Sequence, residues 1–304
     1  MPTSLYQKDL VSITDLSRQQ IETILERAQF FKQKPNHNIL NDKIIASCFF
    51  EPSTRTRLSF ETAIQRLGGK VIGFTDPNST SQRKGEFLED SIRMVASYAD
   101  AIIIRHPEAG SAKIAADISA VPVINAGDGG NQHPTQTLLD LFSMQETQGR
   151  LDGLKVALVG DLKYGRTVHS LAQAGALFNM QFYCVAPQGL SMPAHLREWL
   201  QARHVSIVNS DQLEAVIPEV DILYMTRLQK ERFSTQDTEL LNHFTLTPAL
   251  LKTPKTNLKI LHPLPRIDEI DTAVDSLPQA YYFQQAANGV PVRQALLELI
   301  LTRI

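Results

Sequence analysis

The chain has 304 residues, of which 43% are hydrophobic and 20% are charged, and its formal net charge is −2. This balance excludes a strongly basic nucleic-acid-binding or membrane-surface protein, and no apolar run approaches the roughly 18 residues of a membrane-spanning helix. Because Met1 to Leu5 lack the basic and apolar segments of a secretory signal, and Cys48 and Cys184 lie in separate strand-like runs, we expect a cytoplasmic protein with reduced thiols.

Apolar strands alternate with amphipathic helices along the first part of the chain. The hydrophobic pattern predicts strands over 44–50, 70–74, 101–104 and 121–124, and helices over 10–33, 54–67, 86–98, 110–118 and 137–148. Two segments rich in turn-forming residues, 76–85 and 125–132, are predicted to be loops, the second of them flexible.

The pattern begins again after Gly149. It predicts strands over 154–159, 182–185, 205–208, 222–225 and 259–261, a helix over 164–178 with Leu177 inward, and a final amphipathic helix over 294–303. Such alternation predicts an α/β fold of two doubly wound parallel-sheet domains, and we expect the active site to lie between them. We expect a first domain over 1–135, a connecting helix over 136–149 and a second domain over 150–286, with residues 287–304 packing back on the first domain.

Residues 49–61 combine the end of a strand with the start of a helix. Pro52 disfavours helix at the residue before it, and Ser53 or Thr54 is a good N-cap. A helix start offers unpaired N–H groups and a positive dipole end, and Arg55 adds a planar cationic fork. Plain capping is the alternative, but arginine in a first turn, where acidic residues are preferred, favours an anion site.

Five arginines follow predicted strands, at the edge where open parallel sheets bind ligands. They are Arg55, Arg105, Arg166, Arg227 and Arg266. A single arginine there is more often a surface ion pair, but five predict a polyanionic ligand or two anions. Residues 159–165 lack the glycine spacing of a dinucleotide loop, and neither His133 nor His262 has a second metal ligand nearby, so no cofactor or metal is expected. His133 alone is as easily a structural residue at a helix start.

These motifs resemble the aspartate/ornithine carbamoyltransferase family over essentially the whole chain. Ser-Thr-Arg-Thr-Arg at 53–57, Arg105 and His-Pro-Thr-Gln at 133–136 resemble its carbamoyl phosphate motifs. The second half lacks the Ser-Met-Gly and His-Cys-Leu-Pro motifs of ornithine enzymes, and residues 160–171, 225–233 and 262–266 are similar to the aspartate-specific branch. The resemblance implies transfer of the carbamoyl group of carbamoyl phosphate to the amino group of L-aspartate. This is the committed step of de novo pyrimidine biosynthesis, and it needs no cofactor or covalent intermediate.

The resemblance also implies roles for individual residues. The implied catalytic residues are Arg55, Thr56, Lys84, Arg105 and His133. Carbamoyl phosphate would be bound by Ser53, Thr54, Arg55, Thr56, Arg105, His133, Gln136, Pro263 and Leu264, and the backbone carbonyls of Pro263 and Leu264 would face the attacking amine. Aspartate would be bound by Lys84, Arg166, Arg227 and Gln229.

Assembly is a further implication of the resemblance. Ser81 and Lys84 match a mobile loop that reaches the neighbouring subunit's site, which implies a homotrimer with shared sites and leaves open a regulatory chain. The loop is one residue shorter than in some members, so the reach of Lys84 is an open point. Two alternatives are a related transcarbamylase with another amine acceptor and a catalytically silent scaffold subunit. The scaffold would be expected to have lost active-site donors, and none is missing here.

Overall fold

The computed structural model describes residues 4–76, 80–227 and 244–303. The chain divides into two compact units: unit 1 contains residues 1–142 and 287–304, and unit 2 contains residues 143–286. Within the described residues, no helix is both long enough and apolar enough to cross a membrane.

Unit 1 is built on a four-stranded parallel sheet. Its strands are β1 (Ile44–Phe49), β2 (Lys70–Phe74), β3 (Ala101–His106) and β4 (Val123–Asp128), in the order β2-β1-β3-β4. Its helices are α1 (Arg18–Gln33), α2 (Thr54–Arg66), α3 (Leu88–Ala96), α4 (Ser111–Ile118) and the first part of α5 (Pro134–Gln148). Strands β1, β3 and β4 are buried almost continuously, which indicates that both faces of the sheet are covered, whereas the edge strand β2 is largely exposed.

Unit 2 is built on a five-stranded parallel sheet. Its strands are β5 (Lys155–Val159), β6 (Gln181–Val185), β7 (Ile207–Ser210), β8 (Ile222–Met225) and β9 (Lys259–Leu261), in the order β7-β6-β5-β8-β9. Its helices include α6 (Arg166–Gly175), α7 (Ala194–Gln201), α8 (Leu213–Val216) and α9 (Tyr282–Ala287). The apolar side chains of β5 and β8 are fully buried and form the centre of its core.

Both sheets confirm the predicted parallel, doubly wound α/β class. In unit 1 the strand order reverses between β1 and β3, and in unit 2 it reverses between β5 and β8. Ligands of open α/β sheets bind outside the carboxyl ends of the strands at such a switch point. The segments that follow β1, β3, β5 and β8 are therefore the candidate ligand-binding segments.

The chain ends on helix α10 (Gly289–Leu301), which packs against α1 and α2 of unit 1. A helix was predicted over 294–303 and is present, but it is not amphipathic as predicted, because α10 is buried on nearly all sides. Its polar residues have internal partners: Glu298 forms a bidentate ion pair with Arg27 at 2.7 and 2.8 Å, and Gln294 donates to the carbonyl of Pro35.

Two other predicted elements of unit 1 differ in the structure. Residues 125–132 are not a flexible loop, because Asn125 to Asp128 complete β4 and are buried. Their polar groups bond internally: Asn125 Nδ2 donates to Asp128 Oδ1 at 2.9 Å and to the carbonyl of Val11 at 2.8 Å. The first helix begins at Arg18 instead of residue 10, because Ser17 caps it in a capping box with Gln20.

The inward prediction for Leu177 was also wrong. Its side chain is 39% exposed, while Phe178 is fully buried. The α-helix ends at Gly175 and is followed by a 3-10 turn over Ala176–Phe178, which changes the periodicity on which the prediction depended.

Candidate functional site

The start of α2 has the features of an anion site. Ser53 is the N-cap residue, but its side chain makes no capping hydrogen bond, and the first turn contains no acidic residue. Thr56 is buried while Thr54 and Arg55 are exposed, so hydroxyls, backbone N–H groups and a guanidinium lie together at the positive end of the helix. Partial burial lowers the pKa of Arg55, but an arginine remains cationic at neutral pH.

Arg105 lies at the carboxyl end of β3, beside the residues that lead into α2. Phe49 of β1 is its register partner, and the Phe50 N–H donates to the Arg105 carbonyl at 2.8 Å. The guanidinium is held by two protein groups: Nε lies 2.7 Å from Glu51 Oε1, and Nη1 donates to the Ala126 carbonyl at 3.2 Å. A cation is thus fixed at the switch point of unit 1.

His133 and Gln136 reach the same edge from the turn between β4 and α5. Nε2 of His133 lies 3.4 Å from Nη1 of Arg105, and both His133 and Gln136 are buried. The Asp128 carboxylate fixes this turn, since it accepts from the side chain of Asn131 and the backbone of Gln132. Thr56, Arg105, His133 and Gln136, which were predicted to act together, therefore belong to three strand ends of one sheet.

In unit 2, two predicted arginines follow the strands that flank the switch point. Arg166 is the first residue of α6, after β5, and Arg227 comes two residues after β8. The turn after β5 is tight: a Cβ on Gly160 would lie 2.6 Å from the Thr226 carbonyl, and its φ is 115°. Asp161 Oδ1 accepts from the backbone N–H of Lys163 and of Tyr164, which shapes the segment that leads to Arg166.

The segment after β9 is held by a buried histidine. Nδ1 of His262 accepts from the Leu264 N–H at 2.8 Å, so its Nε2 donates to Glu269 Oε1 at 2.7 Å. The His262 N–H donates to Gln285 Oε1 at 2.8 Å. Leu264 itself has a φ of 55°, which a leucine rarely adopts, so this network supports a strained backbone. Glu269 and Gln285 were missed by sequence reasoning, because neither lies at a strand end.

Arg266 does not join the other arginines as a ligand for anions. Its guanidinium pairs with Asp275, donates to the Tyr282 hydroxyl at 3.0 Å, and lies 5.2 Å from the centre of the Tyr282 ring. The hydrogen bond from Arg266 lowers the pKa of Asp275. Arg266 is therefore a structural residue, which leaves Arg55 and Arg105 at the strand ends of unit 1 and Arg166 and Arg227 at the strand ends of unit 2.

The remaining predicted residues can be placed only in part. Lys84 is exposed and ends a 3-10 turn over Ser81–Lys84. The side chain of Ser81 and the whole of Gln229 lie outside the described residues. Among the residues that are described, no group of three or more His, Cys, Asp or Glu side chains could hold a metal ion.

Two parallel α/β units, each with arginines at the switch point of its sheet, define a class of protein that binds small anionic molecules at strand ends. Two family models match the chain: the aspartate/ornithine carbamoyltransferase carbamoyl-P binding domain over residues 8–146, and the Asp/Orn binding domain over residues 152–300. The chain belongs to the aspartate/ornithine carbamoyltransferase family, as its motifs predicted.

Individual relatives agree with this assignment. The chain is 58% identical to the aspartate carbamoyltransferase catalytic subunit of Chromobacterium violaceum, covering 98% of this chain and 99% of the relative. It is similar in structure to aspartate transcarbamoylase from Trypanosoma cruzi in complex with carbamoyl phosphate, with a TM-score of 0.94, 38% identity, and coverage of 99% and 98% of the two chains. The catalytic subunit of M. jannaschii aspartate transcarbamoylase is 48% identical, with a TM-score of 0.90 and coverage of 96% and 97%.

Proposed function

We propose that this chain transfers the carbamoyl group of carbamoyl phosphate to the amino group of L-aspartate, giving N-carbamoyl-L-aspartate and phosphate. The observation that carries the proposal is the meeting of Arg105 and His133, 3.4 Å apart, at the sheet edge that also holds the start of α2. Relatives 58% identical to the chain bear the name of this activity. The reaction is the committed step of pyrimidine biosynthesis, and we place the enzyme in the cytoplasm.

Unit 1 would hold carbamoyl phosphate. The phosphate fits the N–H groups and hydroxyls of Ser53 and Thr54 with the guanidinium of Arg55, because these are donors at a positive helix end. The carbonyl oxygen would be met by Thr56, Arg105 and His133. The amide of Gln136 would hold the carbamoyl nitrogen.

Unit 2 would hold L-aspartate. Arg166, Arg227 and Gln229 would bind its two carboxylates, with Lys84 as a further cation. Guanidinium groups favour a second carboxylate and disfavour the cationic side chain of ornithine. The backbone carbonyls of Pro263 and Leu264 would accept hydrogen bonds from the substrate nitrogen atoms, and the His262 network keeps that segment of backbone in place.

The chemistry follows from these donors. The neutral amine attacks the carbonyl carbon, a tetrahedral intermediate places negative charge on oxygen, and phosphate leaves with the proton of the amine. Thr56, Arg105 and His133 stabilise the oxyanion, and each such donor contributes about 10²–10³ in rate. No residue of the chain forms a covalent bond to the substrate in this scheme.

Phosphate release in the presence of carbamoyl phosphate tests the proposal. We expect release that depends on L-aspartate and is not supported by L-ornithine at the same concentration. A preference for ornithine would contradict the aspartate assignment. A folded chain that is inert with both amines would instead support a catalytically silent subunit.

The proposed assembly is a homotrimer with shared sites. In support, large apolar side chains are exposed on and beside α3, in the segment 87–98 that follows Lys84: Phe87 is 75% exposed, Tyr98 59% and Met94 51%. Surfaces of this kind mark contacts between proteins. If Lys84 acts on a neighbouring subunit's site, a mixture of Lys84→Ala and Arg55→Ala chains regains activity that neither has alone, and no recovery would contradict shared sites. Adding nucleotide effectors to the same assay tests for regulation, with or without a regulatory chain.

A further inference from the structure

The amide of Gln136 is oriented by a buried carboxylate on the same helix. Nε2 of Gln136 donates to Oδ1 of Asp140 at 2.8 Å, one turn further along α5. Asp140 is fully buried. An ionised carboxylate only accepts hydrogen bonds, so the NH₂ group of the amide must face Asp140. The amide oxygen, Oε1, therefore points away from Asp140.

The carboxylate of Asp140 has a buried cation as its counterpart. Arg293 of α10 is 2% exposed, its Nη2 lies 3.4 Å from the Thr135 hydroxyl, and its guanidinium lies 4.7 Å from the centre of the Phe60 ring. Burial lowers the pKa of Arg293 to about 9, and the charge of Asp140 acts in the opposite direction. Arg293 thus stays charged at neutral pH and gives the buried carboxyl group of Asp140 an opposite charge.

We infer that Asp140 is a positioning residue that makes the site select carbamoyl phosphate over other acyl phosphates. Because Asp140 binds the NH₂ group of Gln136, only the acceptor Oε1 faces the bound substrate. A carbamoyl group carries an NH₂ donor for that acceptor. The methyl group of acetyl phosphate, which has nearly the same shape, carries none. This inference rests on the proposed function, in which Gln136 meets the carbamoyl nitrogen.

The size of the effect follows from the loss of one buried hydrogen bond. A site built to bond a substrate N–H rejects an analogue that lacks the donor, because its own acceptor is then left without a partner. With one neutral hydrogen bond at stake, we expect about 10- to 100-fold discrimination between carbamoyl and acetyl phosphate. Without a fixed carboxylate the amide could turn over and present its NH₂ group, which repels the carbamoyl NH₂.

Asp140→Asn is the direct test, since an asparagine can either accept from or donate to Gln136 and no longer dictates its orientation. Three quantities are measured: kcat/KM for carbamoyl phosphate, and the inhibition constants of acetyl phosphate and of inorganic phosphate. We expect kcat/KM to fall about 10- to 100-fold, and both inhibition constants to stay within about twofold. Thr147→Ala, which removes another side-chain hydrogen bond on α5, is the matched control and should change none of them.

Two results would overturn the inference. One is an unchanged kcat/KM in Asp140→Asn. The other is a fall in kcat/KM that is matched by an equal rise in both inhibition constants, which would indicate a structural role only. If Asp140→Asn fails to fold, Gln136→Met serves in its place, because it removes the amide and keeps the shape. A Gln136→Met enzyme that still prefers carbamoyl over acetyl phosphate by the wild-type ratio contradicts the inference. Wild-type chain that is inactive with carbamoyl phosphate and aspartate contradicts the proposed function instead.

Discussion

Nη1 of Arg105 lies 3.4 Å from Nε2 of His133, although the two residues are 28 positions apart in the chain. They meet because β3 and β4 are neighbours in a parallel sheet and both side chains leave its carboxyl edge. A substrate oxygen bound at this point would have a cationic donor and an imidazole within reach.

His133→Ala tests the imidazole as part of an oxyanion site. We expect kcat to fall about 10²–10³-fold, because a donor to the developing charge is lost. The inhibition constant of inorganic phosphate should change by less than about threefold, since the phosphate is held at the start of α2. His195→Ala, an exposed histidine in unit 2, is the control. A parallel loss of phosphate binding in His133→Ala would argue for a structural histidine.

The two ends of α2 give a matched pair of arginine variants. Arg55 lies in the first turn, where an anion is attracted, and Arg66 in the last turn, where a cation is favoured by the helix dipole. Arg55→Ala should raise the inhibition constant of inorganic phosphate about 10- to 100-fold, because a charge-assisted hydrogen bond is lost. Arg66→Ala should change it by less than about twofold. Similar effects of the two variants would show that only overall charge matters.

Arg166→Ala tests the aspartate assignment in unit 2. The loss of a charged donor to a carboxylate should raise KM for L-aspartate about 10- to 100-fold and leave KM for carbamoyl phosphate within about threefold. Lys163→Ala removes an exposed cation three residues earlier and is the control. If Arg166→Ala raises both KM values together, the assignment of carbamoyl phosphate to unit 1 and of L-aspartate to unit 2 is wrong.

Glu269→Gln tests the buried bond that supports the segment after β9. Burial alone would raise the pKa of Glu269, but the hydrogen bond with His262 and those from the backbone outweigh it and lower the pKa below its usual value. A carboxyl with a lowered folded-state pKa stabilises the protein above its unfolded-state pKa, and this stabilisation disappears as the pH falls through the lowered value.

We therefore expect Glu269→Gln to reduce the free energy of unfolding by about 2 kcal/mol at pH 7, because the hydrogen bonds to its charged carboxylate lose that charge. The difference from wild type should shrink as the pH falls below about 4.3. Urea unfolding at pH 7 and at a pH below about 4.3 measures this difference in the free energy of unfolding. Glu214→Gln, at an exposed position, is the control and should stay within about 0.5 kcal/mol of wild type. A difference that is constant with pH would show that the charge of Glu269 is not involved.

The parts of the fold and site that follow local rules could be predicted from sequence. The strand, proline break and N-cap at 44–56 are encoded within a few residues, and so is the arginine at the end of β3. The turn after β4 was mistaken for a flexible loop, because Asn125 and Asp128 satisfy each other only once the strands have assembled.

Residues that act through long-range packing could not be predicted. Arg266 looked like Arg166 and Arg227 in sequence, but Asp275 and Tyr282 bind it in the folded protein. Asp140 and Arg293 lie far apart in the chain, and their charges come together only when α10 packs beside α2 and α5. Neither has a local pattern that distinguishes it from an ordinary helical residue.

The most direct test of the central claim is to follow the bond that the reaction forms. The purified chain is incubated with ¹³C-labelled carbamoyl phosphate and ¹⁵N-labelled L-aspartate, and the product is observed by NMR. The account predicts one-bond ¹³C–¹⁵N coupling in the product, with one phosphate released for each bond formed. Release of phosphate without that coupling, or a faster coupled product from ¹⁵N-labelled L-ornithine, would contradict it.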